Sequence, residues 1–519
     1  MLDVVISGGR LIDGTGRSIQ QADVAVAGDR IADIQPFIPE ESAKKVIRAD
    51  GRFVCPGFID VHSHSDTYVL LEPSAASKVF QGITTEVIGN CGASAAPRHG
   101  NARLPSDWET FEYPGCWNSM AEYRRIVESV SPGINVAALV GHNILRAGVI
   151  GYEGRTASAE ELALMIERLE VSMEAGARGL SSGLIYPPGM YATEQEIHAL
   201  ATAVARQNGI YASHMRSEGR NLLESLSETI RVARSTGVRL QVSHLKTSGK
   251  ANWHLIETAI EMLESVQCEG IQVAADRYPY TASCTELDVI LPVWATEGGR
   301  EAELHRLRDN QTRARIRQEI LESRDPDSWS SITIGSTTRQ NCRFRGLLLT
   351  EVSAALSLDP IDAALHLIET DQLSTTAFFH GMSEENMWRI LSLPWVMLGT
   401  DASLRAPWGP LSQDFPHPRA YGSFTLFLKA SLEGRTVPVT EAVRKMTSLP
   451  AAQFNLEDRG VIRRGAKADI AILDPAHLRA PASYGSPHQL SEGVTELLVN
   501  GVVQIQNGTL TGSRGGRWL

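Results

Sequence analysis

Between Phe58 and Gly399 the chain repeats one pattern: a short apolar run of β-forming residues, a stretch of helical spacing, then another apolar run. Such alternation builds βα units, because a parallel strand pair needs a crossover long enough to hold a helix. The strand candidates are Phe58–Val61, Thr84–Ile88, Val136–Val140, Gly179–Gly183, Ile210–Ser213, Arg239–Ser243, Ile271–Ala275 and Val396–Gly399. Eight such runs predict an α/β fold, a (β/α)8 TIM-type barrel. The interval from about 297 to 395 holds charged helical text and the strand-like Ser331–Gly335 and Ala377–His380, which predicts an insertion on the barrel.

The two ends differ from this middle. Residues 1–56 read as short strands with glycine turns, and 457–519 return to hairpins through Arg459–Ile462, Lys467–Leu473, Leu497–Gly501 and Val502–Gln506. Both are expected to pair into one small β-sandwich domain flanking a barrel of residues 57–456. Gly8-Gly9-Arg10 and Gly14-Thr15-Gly16 fall in tight turns with no long helix after them, so they are not a phosphate loop.

At 519 residues and 43% hydrophobic content the chain buries a large core. Its formal net charge of −11 carries no long run of like charge, which argues against nucleic acid or an anionic membrane as partner. Met1–Asp13 reads as a strand with no basic start or cleavage site, and no apolar stretch is long enough for a transmembrane helix. Cysteines at 55, 91, 116, 268, 284 and 342 lack the spacing of a disulfide scaffold, which suits a cytoplasmic location. The oligomeric state is left open.

Barrel enzymes carry their chemistry at the carboxyl ends of strands, and here those ends are polar. The first run ends at His62 and His64, two residues apart and so on one side of an extended chain. The others end at Asn90-Cys91-Gly92, His214, His244 and Asp401. Each alone suits a structural histidine or a buried thiol. Six potential metal ligands at five strand ends are not a packing pattern.

These residues in this order resemble the metal-dependent amidohydrolase superfamily, and more closely its D-aminoacylase family, the N-acyl-D-amino-acid deacylases. The likeness rests on Gly89-Asn90-Cys91-Gly92, Ser181-Ser182-Gly183-Leu184-Ile185-Tyr186-Pro187-Pro188-Gly189, Ser213-His214-Met215-Arg216, Ser243-His244-Leu245-Lys246, Tyr278-Pro279-Tyr280, Gly399-Thr400-Asp401 and His417-Pro418-Arg419. Many amidohydrolases bridge two metals with a lysine after the fourth strand. Ser181-Ser182-Gly183 supplies none, and the resemblance gives that role to Cys91. It implies hydrolysis of a linear N-acyl-D-amino acid, a small-molecule substrate, with the D preference resting on the resemblance alone.

Cys91, His214 and His244 would give zinc three protein ligands and leave a fourth position for water. His62 and His64 would form a second, weaker site, its occupancy left open. Asp401 suits the proton transfers of hydrolysis, a metal-ligand role, or both. Arg419 occupies the motif position for the substrate α-carboxylate, with Tyr278 adding a hydrogen bond. Cys284 stands where the family pattern has a serine, and is a poorer donor. Lys246 either polarises the amide carbonyl or forms an ion pair. Leu287, Ile290, Leu291 and Trp294 make the expected side-chain pocket apolar, favouring a neutral or hydrophobic D-amino acid. The loop Leu404–Phe415 is longer than the family's and bears on substrate size. A hydantoinase- or dihydroorotase-like cyclic-amide hydrolase and a non-catalytic assembly protein are the competing readings; no GxSxG elbow supports a serine hydrolase.

Overall fold

Strand Phe53–Pro56 runs antiparallel to Ile470–Leu473, with Phe53 opposite Leu473 and Pro56 opposite Ile470, and this pairing joins the two ends of the chain. The computed structural model describes residues 1–519. Around this seam a nine-stranded sheet runs in the order Thr509–Leu510, Val502–Gln506, Val494–Val499, Ile470–Leu473, Phe53–Pro56, Leu2–Leu11, Gln20–Ala27 and Arg30–Gln35, with Ala43–Arg48 also paired to Leu2–Leu11. The two-residue period sorts its side chains: Val4, Ile6, Val24 and Val26 join Ile470 and Ile472 in one core, while Val5 and Ala25 pack with Ile38 in another. Arg459–Ile462, expected as a strand, is not one. Gly460 turns there with φ 75°, and the buried Arg459 guanidinium engages Asp469 and Asn500.

The parallel strands form two sheets. Phe58–Asp60, Ile83–Ile88 and Asn135–Ala138 make the first; Val140–Gly141, Gly179–Gly183, Ile210–His214, Arg239–Val242, Val273–Arg277 and Val396–Leu398 make the second. Asn135–Ala138 and Val140–Gly141 are one run broken at Leu139, whose N–H still donates to Ile88 O at 2.9 Å. At the other border Ser63 bridges Ala402 in parallel, and Asp401 N–H donates to His62 O at 2.8 Å. Strand Val273–Arg277 starts and ends two residues later than the sequence pattern predicts, which brings Asp276 into it. Helices between the strands supply the outer side of a 77-residue core. Their starts are locally encoded: Ser158 Oγ accepts from Glu161 N–H, and Glu161 accepts from Ser158 N–H, fixing the first turn of Ala159–Glu174.

The insertion begins earlier than expected. Ala282–Glu286 pairs antiparallel with Thr376–His380, which pairs with Ile332–Ile334, and this small sheet has its own 22-residue core with helices Arg300–Arg308, Asn310–Ser323, Leu349–Leu356 and Pro360–Thr370. Helix Glu384–Ser392, inside the expected insertion, instead buries Met387, Ile390 and Leu391 in the main core.

Candidate active site

The strand ends bring all six expected ligands together in two overlapping groups. His62, His64, Cys91 and Asp401 form one, and Cys91, His214 and His244 the other, with the donor atoms of each group within 4.8 Å of one another. His62 Nε2 lies 3.2 Å from Cys91 Sγ, His244 Nε2 lies 3.5 Å from the same sulfur and 2.9 Å from His214 Nδ1. Asp401 Oδ1 is 3.1 Å from His64 Nε2 and 3.3 Å from His62 Nε2. Tetrahedral zinc, with bonds near 2.0 Å to nitrogen and 2.3 Å to sulfur, sets its ligands about 3.3–3.6 Å apart. The sulfur–nitrogen separations fall in or beside that range, so the donor set fits the metal.

Buried carboxylates orient the imidazoles. Asp276 Oδ1 accepts from His62 Nδ1 at 3.0 Å and from His244 N–H at 2.9 Å, while Gln241 holds its other oxygen. Glu218 lies 2.8 Å from His244 Nδ1. With Nδ1 donating to Asp276, the Nε2 lone pair of His62 faces the thiol, the arrangement a metal ligand needs. Although burial opposes ionisation of Cys91, the neighbouring His62, His244 and His214 hold its thiol well below the ordinary range. Burial likewise opposes charge on Asp401, yet Arg419, His62 and His244 hold its carboxyl well below its usual value. Neither Asp276 nor Glu218 is singled out by the sequence pattern. Asp276 was hidden by the two-residue shift of its strand, whereas Glu218, four positions after His214 in a turn, carries no periodic signal.

Three of the donors sit on left-handed backbone: Cys91 at φ 52°, His244 at φ 36° and Asp401 at φ 50°. Non-glycine residues rarely adopt that region, and holding one there costs on the order of 1–3 kcal/mol, stored where the surroundings over-determine it. The surroundings here are tight. A Cβ on Gly183, at the end of the fourth parallel strand, would stand 2.0 Å from Cys91 O, and one on Gly92 would stand 2.1 Å from Asn143 Oδ1. Below the donors, wholly buried Lys78 joins Asp60 at 2.6 Å and Thr400 Oγ1 at 2.9 Å, tying the first and last parallel strands together.

Beside Asp401 lies a cationic corner. Arg419 Nη1 is 2.7 Å from Asp401 Oδ2 in an ion contact that lacks hydrogen-bond alignment, and its Nη2 donates to Cys284 O at 3.3 Å. Its guanidinium stands 4.6 Å over the Tyr278 ring, with Arg277 4.3 Å from the same ring. The Tyr278 hydroxyl and His417 Nε2 are buried without a hydrogen-bond partner. Cys284 meets Arg419 through its carbonyl rather than its thiol, which burial pushes up to about 12. Lys246 is buried and committed to Glu218, with His244 Nδ1 2.8 Å from its Nζ, so of its two expected roles the ion pair is the one observed.

The cluster and this corner open into one cavity of about 1020 Å³. Its wall corrects the expected apolar pocket. Leu287 and Ile290 turn away into the core of the insertion, and Trp294 packs under Arg315 and donates to Glu319. Leu291 and Val289 do line the cavity, but so do Glu286, Asp288 and Glu303. A short 3₁₀ turn, Leu287–Ile290, is the cause: its three-residue repeat buries residues 287 and 290 and leaves 288 and 289 facing the cavity.

Imidazole, thiolate and carboxylate donors gathered at the ends of parallel strands, beside a buried arginine corner, are the equipment of a metal-dependent hydrolase. The chain belongs to the amidohydrolase family, which it matches over residues 45–505. The D-aminoacylase of Alcaligenes xylosoxydans xylosoxydans is 32% identical over 519 residues, covering 100% of this chain and 97% of that protein. The N-acyl-D-glutamate deacylase of the same organism is 34% identical over 96% of this chain and 93% of its own length. Among solved structures, the Bordetella bronchiseptica N-acyl-D-glutamate deacylase, complexed with zinc and a phosphonate mimic of the reaction's tetrahedral intermediate, superposes with a TM-score of 0.85 at 31% identity, covering 100% of this chain and 99% of that one.

Proposed function

We propose that the protein is a zinc-dependent deacylase that hydrolyses the amide of an N-acyl-D-amino acid to a carboxylate and a free D-amino acid. The observation that carries the reading is one cavity shared by the Cys91–His214–His244 donors, Asp401 and Arg419. Cys91, His214 and His244 would hold the tighter metal; His62 and His64, with Cys91 and Asp401 at their edge, would form the weaker site. Zinc bound there would supply Lewis acidity and lower the pKa of a water toward 7. Asp401 takes the proton of the attacking water and returns it to the nitrogen as the C–N bond breaks, so hydroxyl joins the acyl carbon and the amine leaves neutral. Arg419 and Tyr278 hold the α-carboxylate, Cys284 and Leu291 shape the wall beside it, and Lys246 keeps Glu218 and thereby His244 in place. The D configuration comes from the two named relatives.

For the fold we read the two parallel sheets as one closed (β/α)8 barrel, supported by the Ser63–Ala402 bridge, spanning residues 57–456. Residues 1–56 and 457–519 then form the β-sandwich. No helix is long and apolar enough to cross a membrane. Six unpaired cysteines support a cytoplasmic location.

The test is release of free amine from N-acetyl-DL-methionine and N-acetyl-DL-arginine, resolved by chiral chromatography, with a chelated sample as control. Release of the D enantiomer alone, lost on chelation and restored by zinc, is the expected result. Release of the L form overturns the stereochemistry. No release, with opening of dihydrouracil or hydantoin, overturns the reading in favour of a cyclic-amide hydrolase, which the lysine-free end of strand Gly179–Gly183 disfavours.

A further inference from the structure

The deacylase reading leaves the amino-acid side chain undefined, and the acidic stretch of cavity wall that follows Cys284 defines it. Glu286 ends strand Ala282–Glu286, and its Oε2 lies 3.1 Å from Thr285 Oγ1, which is also 3.1 Å from the Tyr186 hydroxyl. The Tyr186 ring in turn meets the His214 ring edge-on at 5.1 Å. Glu286 is therefore linked to the donor cluster through two side chains. Asp288 follows on the same wall and Glu303 completes it from helix Arg300–Arg308. Glu303 is 5% exposed, and its Oε1 has no hydrogen-bond partner.

None of the three carboxylates forms an ion pair in the protein. Of the cavity's cations, Arg419 is paired with Asp401, Lys246 with Glu218 and Arg405 with Asp414, while Arg103 and Arg300 also line it. Glu286 feels the charges of Asp107 and His64, Asp288 that of Glu286, and Glu303 that of Asp288. Arg300, itself in the cavity wall, and Arg306 act on Glu303, and Arg306 is held by the carbonyls of Ala295 and Glu297. The three carboxylates are not gathered at metal-ligating distance, unlike the two donor groups, so the wall suits an extended organic cation rather than an ion.

We infer that Glu286, Asp288 and Glu303 receive a cationic side chain, an ammonium or guanidinium, on the N-acyl-D-amino acid whose α-carboxylate Arg419 holds; the inference rests on the deacylase reading. The substrate then lies with its anion at Arg419 and its cation at the acidic wall. Burial and mutual repulsion push the Asp288 carboxyl up to about 7 and that of Glu303 up to about 9, and an arriving cation relieves both. An acidic side chain would add like charge, and an apolar one would leave buried carboxyls unpaired.

The experiment compares kcat/KM of the zinc-loaded protein for N-acetyl-D-arginine, its neutral near-isostere N-acetyl-D-citrulline, and N-acetyl-D-glutamate. Arginine is expected to exceed citrulline by about tenfold or more, with glutamate the poorest. In Asp288→Asn and Glu303→Gln the arginine-to-citrulline ratio is expected to fall toward one. Citrulline or glutamate processed as well as arginine by the wild type overturns the inference while leaving the deacylase reading standing, and this readout is independent of how the variants fold. Cleavage of none of the three, nor of N-acetyl-D-methionine, overturns the deacylase reading and the inference with it.

Discussion

Replacing Asp401 with asparagine keeps the volume of the side chain and removes its proton-accepting charge. Oδ1 faces His64 at 3.1 Å and His62 at 3.3 Å, and Oδ2 faces Arg419 at 2.7 Å, so an amide must present an NH₂ either to an imidazole or to a guanidinium. General acid–base groups contribute about 10²–10⁴ in rate, which is roughly 3–5 kcal/mol on the barrier. The ground state moves the other way. Arg419 is buried and paired with Asp401, and the α-carboxylate must compete with that pair. Asp401→Asn frees Arg419, so kcat is expected to drop by about two to four decades while KM holds or falls. Steady-state kinetics on a D substrate, with bound zinc measured on the same sample, reads both. A kcat within about threefold of wild type, or a loss expressed wholly in KM, refutes the assignment of Asp401 as the proton carrier.

Glu218→Gln removes the charged acceptor from His244 Nδ1 and the partner of Lys246; zinc affinity, read by competition with a chelator, is expected to weaken about 10–100-fold, and unchanged affinity would remove Glu218 from the metal site. Lys78→Met strands Asp60 and Glu86 as uncompensated buried acids, so chemical denaturation should show about 3–5 kcal/mol of lost stability, and a loss under about 1 kcal/mol contradicts the buried-pair argument. Asp288, facing Glu286 and Glu303, is an acid whose pKa is raised to about 7, so it is neutral below that pH and charged above it. The preference for N-acetyl-D-arginine over N-acetyl-D-citrulline should therefore climb between about pH 6 and 8, and a flat ratio refutes its involvement.

The clustering of these donors was legible because each ends an apolar run, and the termination of a β pattern by histidine, cysteine or aspartate is a local signal that survives without coordinates. What failed to show was everything set by the third dimension. Asp276 reads as part of an ordinary strand, and only the two-residue shift of Val273–Arg277 turns it toward His62 and His244. The left-handed backbone of Cys91, His244 and Asp401 has no compositional mark, since none of them is a glycine. The segment Glu286–Trp294 misled for a different reason. Leu287 and Ile290 are real core residues, but of the insertion rather than of the cavity, and the 3₁₀ turn at Leu287–Ile290 determines which side chains face which way.

The seam between the chain ends also constrains how the molecule is made. Cys55 and Ala471 meet across 416 positions, so during synthesis the strands up to residue 56 wait with an open edge until residue 471 and its neighbours have left the ribosome. The waiting edge belongs to Phe53–Pro56, a short strand ending in proline, which cannot donate a hydrogen bond to a stray neighbour. Birth of the protein is thus guarded along a seam where distant parts of the chain must later find each other.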